Sequence, residues 1–279
     1  MDRSLGASTD VRPFYRDCGR DPVLAAAIRD FRGMRIAGWP SLWEALVTAV
    51  LSQQVNLRFA YDIRRELALE FGRTARLGGR IRTAFPEPEA LAAETPRRLL
   101  RFRLSGAKAK AIHGLARAFA GGALSEDAVA GLPDEEAIEL LTSFRGVGRW
   151  TAEIALLRGL GRTDVFPAGD LGVVKYLAVG LLGRSARARE DEMRLFAERW
   201  RPHRGFALAY AYAELSRREA ADKAPREAAE KAPREAAEKA RREAAEKARR
   251  EAASAAASPP SRRRPGSRRP PGSPRSRTG

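Results

Sequence analysis

Two segments of helical apolar period meet at a five-residue turn, Arg145-Gly146-Val147-Gly148-Arg149, and no other feature restricts the fold as much. Glycines at 146 and 148 carry no Cβ, so the backbone can turn tightly and approach a partner closely. The second segment opens at Arg149-Trp150-Thr151. Its first-turn N–H groups and positive dipole end then face outward as a seat for phosphate, flanked by Arg145 and Arg149. A Pro167-Ala168-Gly169 turn next brings in Asp170, 20 positions after Trp150. A phosphate clamp with one acid nearby reads as a site for chemistry on nucleic acid.

The rest of the chain is punctuated for helices. Ser41 to Val55 is apolar at Leu42, Ala45, Leu46, Ala49 and Val50, the pattern of a buried helix, with Pro40 at its first position. The spacing predicts further helices over 22–31, 57–71, 88–93, 96–102, 107–121, 134–142, 149–159, 171–182, 189–200 and 205–219. Thr95-Pro96 reads as an N-cap followed by proline at N1, and Pro133-Asp134 opens another helix. No stretch shows sustained strand alternation, so the expectation is an all-α fold.

Composition divides the chain into a preamble (1–34), a domain (35–218), a spacer (219–254) and a tail (255–279). Lys223 to Ser254 repeats an eight-residue unit, KAPREAAE twice and then KARREAAE and KARREAAS. Ala, Glu, Lys and Arg favour helix, but Pro225 and Pro233 should break the first half. A period of eight is not a heptad, so the alanines wind around the helix and leave no seam. The tail carries seven arginines and no acid, and should be disordered. From Glu219 onward 17 Lys and Arg face 9 Asp and Glu, a net of +8, which leaves +9 of the total +17 for residues 1–218. Both parts are basic, so a polyanion is the natural partner. The single cysteine, Cys18, excludes an intramolecular disulfide and a four-cysteine iron–sulfur cluster. The first ten residues lack an apolar segment, and no run of about 18 apolar residues occurs, so no membrane partner is expected and the location reads as cytoplasmic and nucleoid-associated.

The turn and its Asp resemble the helix-hairpin-helix DNA glycosylase superfamily, in detail the 3-methyladenine DNA glycosylase II branch, which excises alkylated bases. Further landmarks stand in that family's order: Ala49 to Val55, Phe85 to Leu91, Leu104 to Lys108, and Trp200 to Ala207. The likeness covers roughly residues 35–215. It implies two helical subdomains flanking a cleft, a monomer acting on double-stranded DNA with damaged bases, and base flipping followed by hydrolysis of the N-glycosidic bond. The other readings are a glycosylase for a different lesion, such as deaminated bases, and a non-catalytic DNA-binding module.

Residue by residue, the resemblance makes Asp170 the catalytic carboxylate that stabilises positive charge on the deoxyribose; the alternative is a plain helix N-cap. Relatives that also cut the backbone carry a lysine where this chain has Trp150, so no Schiff base is expected at that position. Trp150 offers instead an electron-rich face to a flipped, positively charged purine, or is an ordinary core residue. Tyr212 is the second pocket aromatic, with Tyr210 able to swap roles. Asp164, the nearest rival acid, reads as a turn or cap. DNA contacts are expected from Arg145, Gly146, Val147, Gly148, Arg149 and Thr151. Gln53 is expected at the minor groove or as a satisfied internal amide. In the loop Leu104-Ser105-Gly106, Leu104 is either the wedge filling the gap left by the base or a core leucine. Lys108 and Lys110 face phosphate or solvent. The carbonyls of Thr142, Phe144 and Val147 match positions that can hold a structural monovalent cation; no other cofactor is expected.

Overall fold

The computed structural model describes residues 2–7 and 9–257, and the chain divides into one unit ending at Glu219 and another beginning at Ala220. Short helices α1 (Asp2–Leu5), α2 (Arg12–Cys18) and α3 (Ala25–Asp30) precede the long buried α4 (Leu42–Ser52). Helix α5 (Leu57–Phe71) leads into a hairpin of β1 (Thr74–Leu77) and β2 (Arg80–Thr83). Then come α6 (Pro88–Ala92), α7 (Pro96–Leu99) with a 3-10 turn to Phe102, α8 (Gly106–Ala120), α9 (Glu126–Ala130), α10 (Asp134–Thr142) and α11 (Arg149–Gly159). A π-helical segment (Gly172–Leu181), α12 (Glu190–Ala197) with a 3-10 turn to Trp200, and α13 (Arg204–Ala257) complete the order.

Caps set several of these boundaries. Ser41 is the N-cap of α4 and accepts the Glu44 N–H at 3.2 Å, so Pro40 stands one residue outside the helix and not at its first position. Asn56 caps α5 by accepting the Phe59 N–H at 2.8 Å, and Thr95 caps α7 ahead of Pro96 as expected. In α5, Ala60, Ile63 and Leu67 bury one face, while α4 is buried on every side from Leu42 to Leu51.

The first unit holds two apolar cores. One gathers α4, α5 and α6 to α11 around Leu46, Leu51, Ile63, Ile112, Leu115 and Leu156. The second gathers Phe166, Val174, Leu177, Met193, Trp200, Phe206 and Tyr210 with Phe14, Leu24 and Ile28. Each such side chain taken wholly out of water contributes about 1.5–3 kcal/mol. The segment read as a preamble is therefore part of the folded body. Phe14 lies 5.5 Å from the Phe206 ring and 5.0 Å from the Tyr210 ring.

The all-α expectation holds, with one addition. Among the described residues the fold is helical apart from the β1–β2 hairpin, which pairs antiparallel from Thr74–Thr83 to Leu77–Arg80. Its strands show no apolar alternation because neither face is buried. What closes it is Gly78-Gly79, both at positive φ, the geometry of a two-residue hairpin turn. One expectation needs correction: α13 runs through Pro225 and Pro233. Each proline removes an N–H and crowds the preceding turn at about 3 kcal/mol, but the surrounding Ala, Glu, Lys and Arg are the strongest helix formers. Pairs such as Arg242–Glu238 (2.5 Å) add i,i+4 support. The expected disorder of the tail falls, from residue 258 on, outside the described residues.

Candidate active site

The turn between α10 and α11 folds as its sequence requires. Gly146 has φ +87°, and a Cβ there would stand 2.5 Å from the Ala111 Cβ of α8, so only glycine fits. Val147 is buried in the first core and its N–H closes the turn on the Phe144 carbonyl at 3.0 Å. Gly148 is the N-cap of α11 and has no side chain to occupy the first-turn N–H groups, which stay open to an anion. Arg145 is exposed and makes no side-chain pairing among the described residues. Arg149 is engaged: its guanidinium donates to both oxygens of Glu135 (2.8 and 2.9 Å) and to Glu153 Oε1 (3.0 Å).

Asp170 sits half-buried where the two cores meet. Trp150 Nε1, from the first core's α11, donates to Asp170 Oδ2 at 2.8 Å. Tyr212 Oη, from the second core's α13, donates to Asp170 Oδ1 at 3.0 Å, and the Gly172 N–H donates to the same oxygen at 2.8 Å. Gly172 is where glycine matters again: a Cβ there would lie 2.4 Å from Tyr212 Oη and 2.9 Å from Asp170 Oδ1. Burial, reinforced by the Asp170 charge, pushes the Tyr212 hydroxyl far above the usual tyrosine range, so it serves as a fixed donor. Neither the Trp150 nor the Tyr212 ring packs on another aromatic among the described residues.

Every donor to Asp170 is neutral. Asp164, six residues earlier in the same loop, is built the opposite way. It accepts from Arg204 Nε and NH2 (both 3.0 Å), caps α13 by taking the Arg204 N–H (3.1 Å), and lies 3.6 Å from Arg201. Its charge is spent on structure, as a turn or cap role requires. Among the described residues no cation is paired with Asp170, so its carboxylate remains available to a positively charged partner.

Several expected DNA contacts are turned inward. Leu104 is 7% exposed and belongs to the first core, so it is no wedge. Ser105 accepts the Lys108 N–H and caps α8, with Gly106 exposed as the first residue of that helix. Lys108 does not reach outward: its Nζ donates to the Leu51 and Gln53 carbonyls (2.8 and 2.7 Å), closing the C-terminal end of α4. Burial there holds its ammonium below the usual lysine range. Lys110 stays exposed. Gln53 is the internal amide, donating from Nε2 to the Gly146 carbonyl (2.9 Å) and to Thr151 Oγ1 (3.0 Å), so α4 anchors the turn. The Thr151 side chain is consequently buried, and only its backbone is placed to meet phosphate. Tyr210 is fully buried; its hydroxyl meets Tyr15 Oη at 2.8 Å and donates to the Met34 carbonyl at 3.2 Å. It belongs to the second core, and Tyr212 alone reaches Asp170. Gln54 was missed. It is exposed, has φ +54°, and adjoins the residue that anchors the turn. Its only sequence signal is its place after the helix-ending Gln53.

Comparisons with known proteins point to one family. Residues 47–202 match the family model described as HhH-GPD superfamily base excision DNA repair protein. A DNA-3-methyladenine glycosylase of Bacillus subtilis is 32% identical over 206 residues, 74% of this chain and 68% of that one. The 3-methyladenine DNA glycosylase of Archaeoglobus fulgidus superposes with a TM-score of 0.68 at 28% identity, covering 77% of this chain and 72% of its own. A Schizosaccharomyces pombe 3-methyladenine DNA glycosylase bound to abasic DNA gives 0.61 at 25% identity, covering 71% and 94%.

Proposed function

The chain belongs to the HhH-GPD superfamily of base excision DNA repair proteins, and on that premise we propose that it is a monofunctional DNA glycosylase that excises alkylated purines of the 3-methyladenine type. The observation that carries the reading is the Asp170 carboxylate, fixed by Trp150, Tyr212 and Gly172 beside the turn and paired with no cation among the described residues. The open N–H groups of α11 and the free Arg145 bind the DNA backbone, and the damaged base swings out toward the Trp150 and Tyr212 rings. An alkylated purine carries positive charge, so an electron-rich indole face attracts it more than a normal base. As the glycosidic bond breaks, positive charge grows on the sugar and the fixed carboxylate stabilises it. With Leu104 buried, exposed Gln54 is the side chain placed to fill the gap in the stack. The Thr142, Phe144 and Val147 carbonyls line the turn. The Phe144 oxygen also accepts the Val147 N–H, and a monovalent cation, if bound, would be held by these carbonyls and would add positive charge beside the phosphate seat.

Methylated duplex DNA tests this directly. The wild-type protein should release free methylated base and leave an abasic site, and Asp170→Asn should slow release by orders of magnitude while still binding an abasic-site analogue. Release by the Asn variant at the wild-type rate would refute the assignment.

A further inference from the structure

One buried acid near the site has no part in the chemistry above. Glu153 lies one turn after Trp150 in α11 and is 1% exposed. Its Oε1 accepts from two arginines at once, Arg149 Nε at 3.0 Å and Arg194 NH1 at 2.8 Å, while its Oε2 is buried with no hydrogen-bond partner. The two arginines lead in opposite directions. Arg149 sits at the mouth of the phosphate seat, with its outer nitrogen on the exposed Glu135. Arg194, from α12, also lies 3.4 Å from the Phe166 carbonyl and holds Glu190 at 2.8 Å. Glu190 in turn abuts Gly169: a Cβ on that glycine would meet Glu190 Oε2 at 2.7 Å. Phe166 and Gly169 belong to the loop that delivers Asp170.

We propose that Glu153 is a positioning residue that couples the DNA-backbone contact at Arg149 to the loop carrying Asp170, with the Glu135 carboxylate standing in for a DNA phosphate until DNA arrives. This rests on the reading of Asp170 given above. The charges support the division of labour. Two guanidinium groups converging on one oxygen repel each other, and the Glu153 carboxylate is what permits the arrangement. Burial pushes that carboxyl up, and Arg194 and Arg149 oppose the push by hydrogen bond and charge. Glu135, by contrast, sits at the surface, where an ion pair is weak and a phosphate can replace it. When the outer nitrogen of Arg149 moves to phosphate, its Nε stays on Glu153, and the loop stays braced through Arg194.

The test uses Glu153→Gln and Glu135→Gln in the full chain. Glutamine can keep its carbonyl oxygen at the Oε1 position and accept from both arginines while its amide takes the unpartnered Oε2 position. Both hydrogen bonds can still form, but the charge that holds the two guanidinium groups together is gone. With DNA saturated by enzyme and below the lowered melting temperature, Glu153→Gln should therefore slow base release about 10-fold or more, the scale of a misplaced reacting group, while affinity for undamaged duplex changes little. Glu153→Asp, shorter but charged, should recover part of the rate. Glu135→Gln should tighten binding to undamaged duplex about 2–5-fold, the scale of one surface ion pair, and that gain should vanish in the double variant. A Glu153→Gln protein with the wild-type rate would overturn the proposal, and so would a Glu135→Gln protein that binds DNA no tighter, which is decisive even if the Glu153 variants fail to fold. If Asp170→Asn itself turned over normally, the catalytic reading would fall first, and the two failures are thereby separable.

Discussion

Gly172 offers a sharp test of the site geometry, because a single added methyl disturbs it without removing any functional group. Its ideal Cβ would stand 2.4 Å from Tyr212 Oη and 2.9 Å from both Tyr212 Cζ and Asp170 Oδ1. A carbon–oxygen contact relaxes only near about 3.3 Å, so in Gly172→Ala the tyrosine must retreat by about 1 Å. Its 3.0 Å hydrogen bond to Asp170 would then stretch to about 4 Å and be lost. A bond to a charged acceptor contributes about 1.5–3 kcal/mol, and the helix propensity of alanine returns about 1. The net loss of about 1 kcal/mol should lower the melting temperature by about 2–4 °C. The chemical consequence is larger: displacing a positioned group by about 1 Å costs about 100-fold in rate. Single-turnover release of methylated base measures it. Gly114→Ala in α8 is the control, since nothing lies within 4 Å of its Cβ, and it should be neutral or slightly stabilising. A Gly172→Ala enzyme with the wild-type rate would refute the assigned packing of Tyr212 on Asp170.

Lys108→Met removes two charge-assisted bonds to the end of α4, so it should cost about 2 kcal/mol and about 4–8 °C of melting temperature. Calorimetry would show that loss, while the slope of log affinity against log salt stays unchanged; a slope shallower by about 1 would mark Lys108 as a phosphate ligand after all. Because Trp150 occupies the position of an attacking lysine, borohydride should trap no covalent protein–DNA adduct above background; an adduct surviving Lys175→Ala would sink the monofunctional assignment. Deleting residues 219–279 should leave base release from a short duplex intact. It should also flatten the salt slope by up to about 6, since the seven tail arginines can each displace a counterion. An unchanged slope would leave the tail without a DNA contact.

The turn at 145–149 and helices α5, α10 and α11 were legible because local chemistry fixes them: a glycine at positive φ, caps, and apolar period. Asp170 and Trp150 were singled out through family resemblance, and the structure joins them by a hydrogen bond; which of Tyr210 and Tyr212 reaches Asp170 could have been read from helical phase. Tyr210 lies three and four residues after Ala207 and Phe206, on the face those residues bury, and Tyr212 is two residues further, roughly 200° around the helix. Long polar side chains were not legible. Gln53 reads equally as a DNA contact or an internal amide, and Lys108 as facing phosphate or solvent, while the structure turns both onto the protein's own carbonyls and pairs Arg149 with carboxylates. Sequence shows that a lysine can donate three hydrogen bonds, but which unpaired carbonyl lies within its reach is set by packing between α4 and α8. The role of residues 11–28 in the second core was hidden for the same reason, since Phe14 finds its partners nearly 200 residues away.

Two aspartates stand six residues apart in one loop, and substituting each by asparagine separates scaffold from chemistry. Asp164 receives two guanidinium bonds and a backbone N–H from Arg204, whose side chain is only 11% exposed. Asp164→Asn therefore strands a buried charge of which Glu198 keeps only one side, and should cost about 1.5–3 kcal/mol for each weakened bond. Base release, measured below the new melting point, should hold. Asp170→Asn also loses some stability, because its amide cannot accept from the indole on one side and from the Gly172 N–H on the other. Its main effect is on rate. A carboxylate about 4 Å from a developing unit charge, at an effective dielectric constant of about 20, supplies about 4 kcal/mol. That is about three powers of ten in rate. Melting curves alone would not tell the variants apart; single-turnover rates would. If Asp164→Asn slowed release as much as Asp170→Asn, with the fold intact, the carboxylate paired to Arg204 would be sharing the chemistry. The assignment of the unpaired one as the sole charge at the sugar would then fall.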